Sequence, residues 1–153
     1  MNRNLLRILP VFLPAALLTG CILHSNVFYT PDIVLKKDGQ PCISIPANED
    51  FFRRKKEFHI LNSDVHQAGV GELWSQDYSD SAKPYYVKNQ QCLNFNFHFQ
   101  TNIPYSICFT SEEMKNNKSQ KSTQKDWIRY MRIIRNKDNT LQLLLDEKAR
   151  NDN

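Results

Sequence analysis

The stretch from Leu93 to Phe99 constrains the fold more than any other part of the chain. Leu93, Phe95, Phe97 and Phe99 alternate with Asn94, Asn96 and His98. Successive side chains of an extended chain point to opposite faces, so a period of two predicts a strand with one apolar and one wet face. A helix does not fit, because helical neighbours on one face recur every three or four residues. Thr101 to Pro104 reads as a turn, and Tyr105, Ile107 and Phe109 continue the apolar side. A hairpin centred near Asn102 would set Phe97 opposite Ile107 and Phe95 opposite Phe109.

Shorter runs of the same kind flank this one. Ile33-Val34-Leu35 and Cys42-Ile43-Ser44-Ile45 are joined by Lys37-Asp38-Gly39-Gln40, and Asp-Gly between two apolar runs is a strong hairpin signal. On the return strand Ile43 and Ile45 face one way, Cys42 and Ser44 the other. Glu57 to Leu61 and Val70 to Trp74 read as further strands, the second with Val70, Glu72 and Trp74 on one face. Polar loops are expected over Asn48–Lys56, Ser75–Lys83 and Glu112–Lys125. The threefold spacing of Arg129, Arg132 and Arg135 permits an amphipathic helix. The turn cluster Asn136-Lys137-Asp138-Asn139 favours instead a terminal hairpin of Trp127–Ile134 with Thr140–Leu145.

These units predict an all-β fold: a small antiparallel sandwich or open barrel of about seven strands, immunoglobulin-like in layout. The immunoglobulin pattern holds only in part. Cys42, Trp74 and Cys108 come in the right order, but the position two before Cys108 is Ser106 rather than a tyrosine. The expected organisation is a signal over 1–20, a tether over 21–30, the β-domain over 31–146 and a disordered tail over 147–153.

The N-terminus reads as an address. Arg3 and Arg7 precede an apolar run from Ile8 to Leu18, and small residues follow, which is the layout of a secretory signal. The run is too short to span a membrane, which takes roughly 20 residues, and Pro10 and Pro14 interrupt it. Leu18-Thr19-Gly20-Cys21 resembles the lipobox of bacterial lipoproteins. That resemblance implies lipidation of Cys21, which then becomes the first mature residue and holds the membrane through its acyl chains. More than one chain makes such attachment stable, at about 0.8 kcal/mol per buried methylene. Ile22 stands where an Asp would favour retention at the inner membrane. In a Gram-negative host the expected location is therefore the outer membrane, on its periplasmic side.

Processing at this site changes the remaining arithmetic. Of 20 Lys and Arg, Arg3 and Arg7 fall in the signal and no acid does, leaving 18 against 16 acids, a net charge of +2. That balance gives no reason to expect a nucleic-acid partner. With Cys21 lipidated, Cys42, Cys92 and Cys108 remain, and an oxidising compartment predicts one disulfide with a thiol left over. In the hairpin centred near Asn102, Cys92 and Cys108 would lie about 13 Å apart, beyond the 4.4–6.8 Å usual between bridged Cα atoms. Cys42–Cys92 is the first expectation and Cys42–Cys108 the second.

Catalytic chemistry leaves no signature. No metal-ligand spacing, nucleophile elbow or phosphate-cradling loop occurs, so no cofactor, metal or catalytic residue is expected. His24 falls in the tether, His66 in a loop from Ser63 to Gly69, and His98 beside Asn96 toward solvent. Protein-binding candidates are Tyr78, Tyr85 and Tyr86, because tyrosine concentrates at the energetic centres of interfaces. Arg53 and Arg54, in Arg53-Arg54-Lys55-Lys56, are candidates for an anionic partner.

Tyr29-Thr30-Pro31 and Asp38-Gly39-Gln40-Pro41-Cys42-Ile43-Ser44-Ile45-Pro46, directly after a lipobox, resemble small enterobacterial lipoproteins. That group is described as type VI secretion immunity lipoproteins of the periplasm. The likeness is close through the signal and on to Pro46, with Cys92 in a comparable place, and thereafter it is one of layout. It implies a chain that neutralises a toxin effector by binding it, and it brings no residues of known role. The rival expectation is a structural or accessory envelope lipoprotein serving secretion or fimbrial assembly.

Overall fold

The computed structural model describes residues 27–47, 56–80, 82–113 and 123–151. These form nine strands and one short helix, in the order β1 (Phe28–Tyr29), β2 (Asp32–Leu35), β3 (Pro41–Ser44), β4 (Glu57–Gln67), β5 (Gly71–Asp77), β6 (Tyr85–Lys88), β7 (Pro104–Glu113), β8 (Gln124–Arg135), β9 (Leu141–Leu145) and α1 (Glu147–Arg150). The fold is all-β. Seven strands make one sheet and β2–β3 a second, so the expected sandwich forms with the strands divided seven to two.

Three long strands, β4, β7 and β8, carry the large sheet, with β7 in the middle and antiparallel to both neighbours. On its far side β4 pairs first with β6 and then with β5, and β8 pairs with β1 and then β9. Tyr105, Ile107 and Phe109 of β7, Val65 of β4, and Trp127 and Met131 of β8 are buried on the inner face. Trp127 stacks on Phe109 at 5.6 Å, and its indole Nε1–H donates to Ser111 Oγ at 2.8 Å. Burying so large a ring is tolerable only when that polar edge is bonded.

The second layer covers this face. The Asp38-Gly39 hairpin forms as expected, with Gly39 at φ +79° and Asp38 Oδ1 accepting from Gln40 N–H. A side chain at Gly39 would also meet Leu141 Cδ1 at 2.8 Å, so the turn packs against β9. Ile33, Ile43 and Ile45 are buried against the large sheet.

The segment Leu93–Phe99 corrects the sequence expectation. Its side chains alternate as read, with Leu93 and Phe99 buried and Asn94, Asn96 and His98 exposed, yet it joins no strand ladder. Tyr85 Oη accepts from Asn94 N–H, Gln40 Oε1 from Phe99 N–H and Tyr105 Oη from Gln100 N–H. Side-chain oxygens thus take donors that a neighbouring strand would have used. Gln40 Nε2 also donates to Phe99 O, so one amide serves both backbone groups of Phe99. The hairpin centred near Asn102 does not form, because β4 and β8 occupy both edges of β7. Phe97 instead packs edge-on against Tyr105 at 5.8 Å.

Other expectations shift. β4 runs past Leu61 to Gln67, because an irregularity between Ile60 and Asn62 reverses which side chains point inward. His66 therefore lies in a strand, not a loop. A second irregularity leaves Leu73 unpaired between Glu72 and Trp74, so Leu73 and Trp74 both reach the core. Ser75–Asp77 belong to β5, Glu112 and Glu113 to β7, and Gln124 and Lys125 to β8, all placed in loops by the sequence. The terminal hairpin of β8 and β9 forms. Phe28 and Tyr29, assigned to the tether, pair in parallel with Asp126 and Trp127. The expected tail folds back as α1, with Ala149 fully buried.

The disulfide is Cys42–Cys92, with Cα atoms 5.0 Å apart, and Cys108 is free. The pairing is the first expectation, although the hairpin used to reach it does not exist. What brings Cys92 to Cys42 is the bond from Leu93 N–H to Ile43 O, 2.8 Å long.

Candidate functional site

The outer face of the large sheet gathers the polar chemistry. Cross-strand register places Glu72, His66, Ser106 and Tyr130 in one row, and Ser75, Asp64, Cys108 and Ile128 in the next. Side chains directly opposite on neighbouring strands share a face and lie about 5 Å apart at Cβ. Asp, His, Ser and Cys thus meet here, a juxtaposition hidden in the sequence because the residues come from β4 and β7, some 40 positions apart.

The electrostatics do not make a nucleophile of Cys108. Burial pushes its thiol up from the ordinary 9.0, and the Asp64 carboxylate adds to this against a bond with Ser106 Oγ at 3.7 Å. An activated thiol needs the opposite shift. Burial likewise raises Asp64 above its ordinary 3.8, with Glu72 and Asp77 adding repulsion and His66 opposing it. Among the described residues no group of three or more His, Cys, Asp or Glu could hold a metal ion. None of the described helices is long and apolar enough to cross a membrane.

At one end this face opens into a cleft of about 700 Å³. The β4–β5 turn, with Gly69 and Gly71 at positive φ and Val70 64 % exposed, forms one rim. His66, Ser106 and Tyr130 contribute to its floor, and Arg150 of α1 stands on the opposite side. The Arg150 guanidinium lies over the Tyr130 ring, 4.7 Å from its centre.

The placement of Arg150 is set by Arg129 and Asp146. Arg129 donates from Nε and Nη2 to the two carboxylate oxygens of Asp146, at 3.3 and 3.0 Å, and from Nη1 to Pro31 O at 2.9 Å. Asp146 N–H also donates to Tyr130 O. Under this clamp Asp146 adopts φ +56°, ψ −123°, a conformation non-glycine residues rarely enter. The reversal there turns α1 back onto the sheet.

Among the described candidates, Tyr78 and Tyr85 come together on the core side and Tyr86 stands apart from them. Tyr78 and Tyr85 pack against the core with rings 5.0 Å apart, and Tyr85 Oη supports Asn94, so both serve the fold. Tyr86 is 40 % exposed and stands on the outer face opposite His59, ring centres 5.2 Å apart. Arg53, Arg54, Cys21 with Leu18, Thr19 and Gly20, and His24 lie outside the described residues. Sequence reasoning misses Tyr130 and Arg150. Arg150 falls in the expected tail, and no local signal marks a reversal made by a distant arginine.

Fold and site together define a small two-layer β-domain whose large sheet keeps one polar face for α1 and a cleft. The chain belongs to the family described as Domain of unknown function (DUF7480), whose model matches residues 28–136. That span holds β1 to β8 and ends before β9 and α1. No curated protein and no solved structure matches the chain.

Proposed function

We propose that this chain is a lipid-anchored envelope protein that acts by binding another protein, and that its partner is a toxin effector of type VI secretion. The observation that carries the reading is the outer sheet face. The helix α1 packs on β7, β8 and β9, and beside it this face opens into a cleft. A rigid scaffold with an accessible, mixed polar and aromatic surface suits recognition. The lipobox-like Leu18-Thr19-Gly20-Cys21 and the likeness of residues 29–46 to immunity lipoproteins support the choice of compartment and partner class.

The test is genetic. Cells lacking the gene should become sensitive to a toxin encoded beside it when that toxin reaches the periplasm, and the full-length chain should restore protection. Unchanged sensitivity to every neighbouring toxin would sink the reading. A gene lying in a secretion or fimbrial operon, with assembly lost on deletion, would favour the accessory-lipoprotein alternative.

A further inference from the structure

We infer that the cleft between the β4–β5 turn and α1 is the partner-binding site, and that it takes an acidic, extended segment of the partner protein. The inference rests on the protein-binding reading above and adds the site and its chemistry. Arg150 is exposed and lies over the Tyr130 ring, and no carboxylate among the described residues forms an ion pair with it. Of the acids within reach along the chain, Asp146 is held by Nε and Nη2 of Arg129, and Glu147, one helical turn back, forms no ion pair with Arg150. Glu72, across the floor, accepts from Ser75 Oγ. A guanidinium seated over an aromatic ring leaves its edge donors available, and its planar fork can bind a carboxylate through two parallel hydrogen bonds.

The rest of the cleft suits a peptide backbone and one apolar side chain. Val70 projects from the far rim, and nothing lies within 4 Å of where a side chain at Gly69 or Gly71 would begin. The turn backbone is therefore open to close approach, and Ser106 and Tyr130 bring hydroxyls to the floor. Arg150 also lies beyond the family-matched span, whereas the floor lies within it.

A displayed library of random linear peptides, panned on the folded chain from Ile22 onward, tests this without knowing the partner. Peptides carrying Asp or Glu beside an apolar residue should be enriched. Arg150→Glu should weaken them about tenfold to a hundredfold, the range expected for a lost charge-assisted bidentate contact. Val70→Glu, on the opposite rim, should weaken the same peptides. Arg150→Lys should recover only part of the affinity, and Lys88→Glu, on β6, should change nothing. Enrichment of basic peptides, no enrichment, or acidic peptides that bind Arg150→Glu as tightly would overturn the inference. So would a wild-type chain that dimerises where the Arg150→Glu chain does not, since the occupant would then be a second copy. Protection by Arg150→Glu cells as full as wild type would refute the cleft while leaving the toxin reading standing. Wild-type cells that gain no protection would refute the toxin reading while the peptide result stands.

Discussion

Asp64 and the turn aspartates carry opposite pH signatures. Asp64 is raised on folding, mainly by burial, so its carboxyl holds a proton more tightly in the native state. Its contribution is full below the ordinary value of 3.8 and is lost as pH rises through its native value. Asp38, Asp77 and Asp138 are lowered, chiefly by bonds from Gln40 N–H, Ser79 O–H and Thr140 O–H respectively. Theirs is present above 3.8 and lost as pH falls through their native values. Asp64→Asn should accordingly raise the unfolding midpoint at neutral pH, with the gain shrinking as pH falls through the native value of Asp64 and gone below 3.8. Thermal melts across that range check it, and a destabilised Asn variant at neutral pH would contradict it.

Among the elements, the Leu93–Phe99 segment depends most on contacts that no local pattern announces. The period of two correctly gave which side chains are buried, because any extended chain alternates. It could not give the hydrogen-bond partners, since past Leu93, which bonds Ile43 O, these are the Tyr85 and Gln40 side chains rather than a strand. Gln40→Ala would leave both backbone groups of the buried Phe99 unmatched. It should cost about 1–3 kcal/mol in denaturant unfolding. The bridge from Cys42 to Cys92 closes a separation of 50 residues. Its loss in a Cys42→Ser, Cys92→Ser chain should cost about 2–5 kcal/mol. Adding a reducing agent should lower the wild-type midpoint toward that of the double variant and leave the variant itself unmoved.

At the scale of the whole molecule, one core serves both layers. Ile33, Ile43 and Ile45 from the small sheet and Tyr105, Phe109 and Trp127 from the large one form a single buried cluster. Far-ultraviolet dichroism and the fluorescence of buried Trp127 should therefore follow one denaturant transition. Two separated transitions would mean that the layers fold independently. The all-β class and the β2–β3 and β8–β9 hairpins were legible because each has its turn residues between its own strands. The large sheet was not, because β4 changes face at Leu61 and β7 pairs on one side with β4, far from it in sequence. The cleft was least legible of all, as Val70, Tyr130 and Arg150 are 60 and 20 positions apart.

The clamp at Arg129 also has a mechanical side. Tension entering from the N-terminal end of the domain is borne first by β1, which holds β8 through only Phe28 and Tyr29. The next point of load is Pro31, whose carbonyl is gripped by the same guanidinium that holds Asp146. A pull on the leading chain is therefore delivered to the base of α1, so strain on one end of the polypeptide is felt where Arg150 stands over Tyr130.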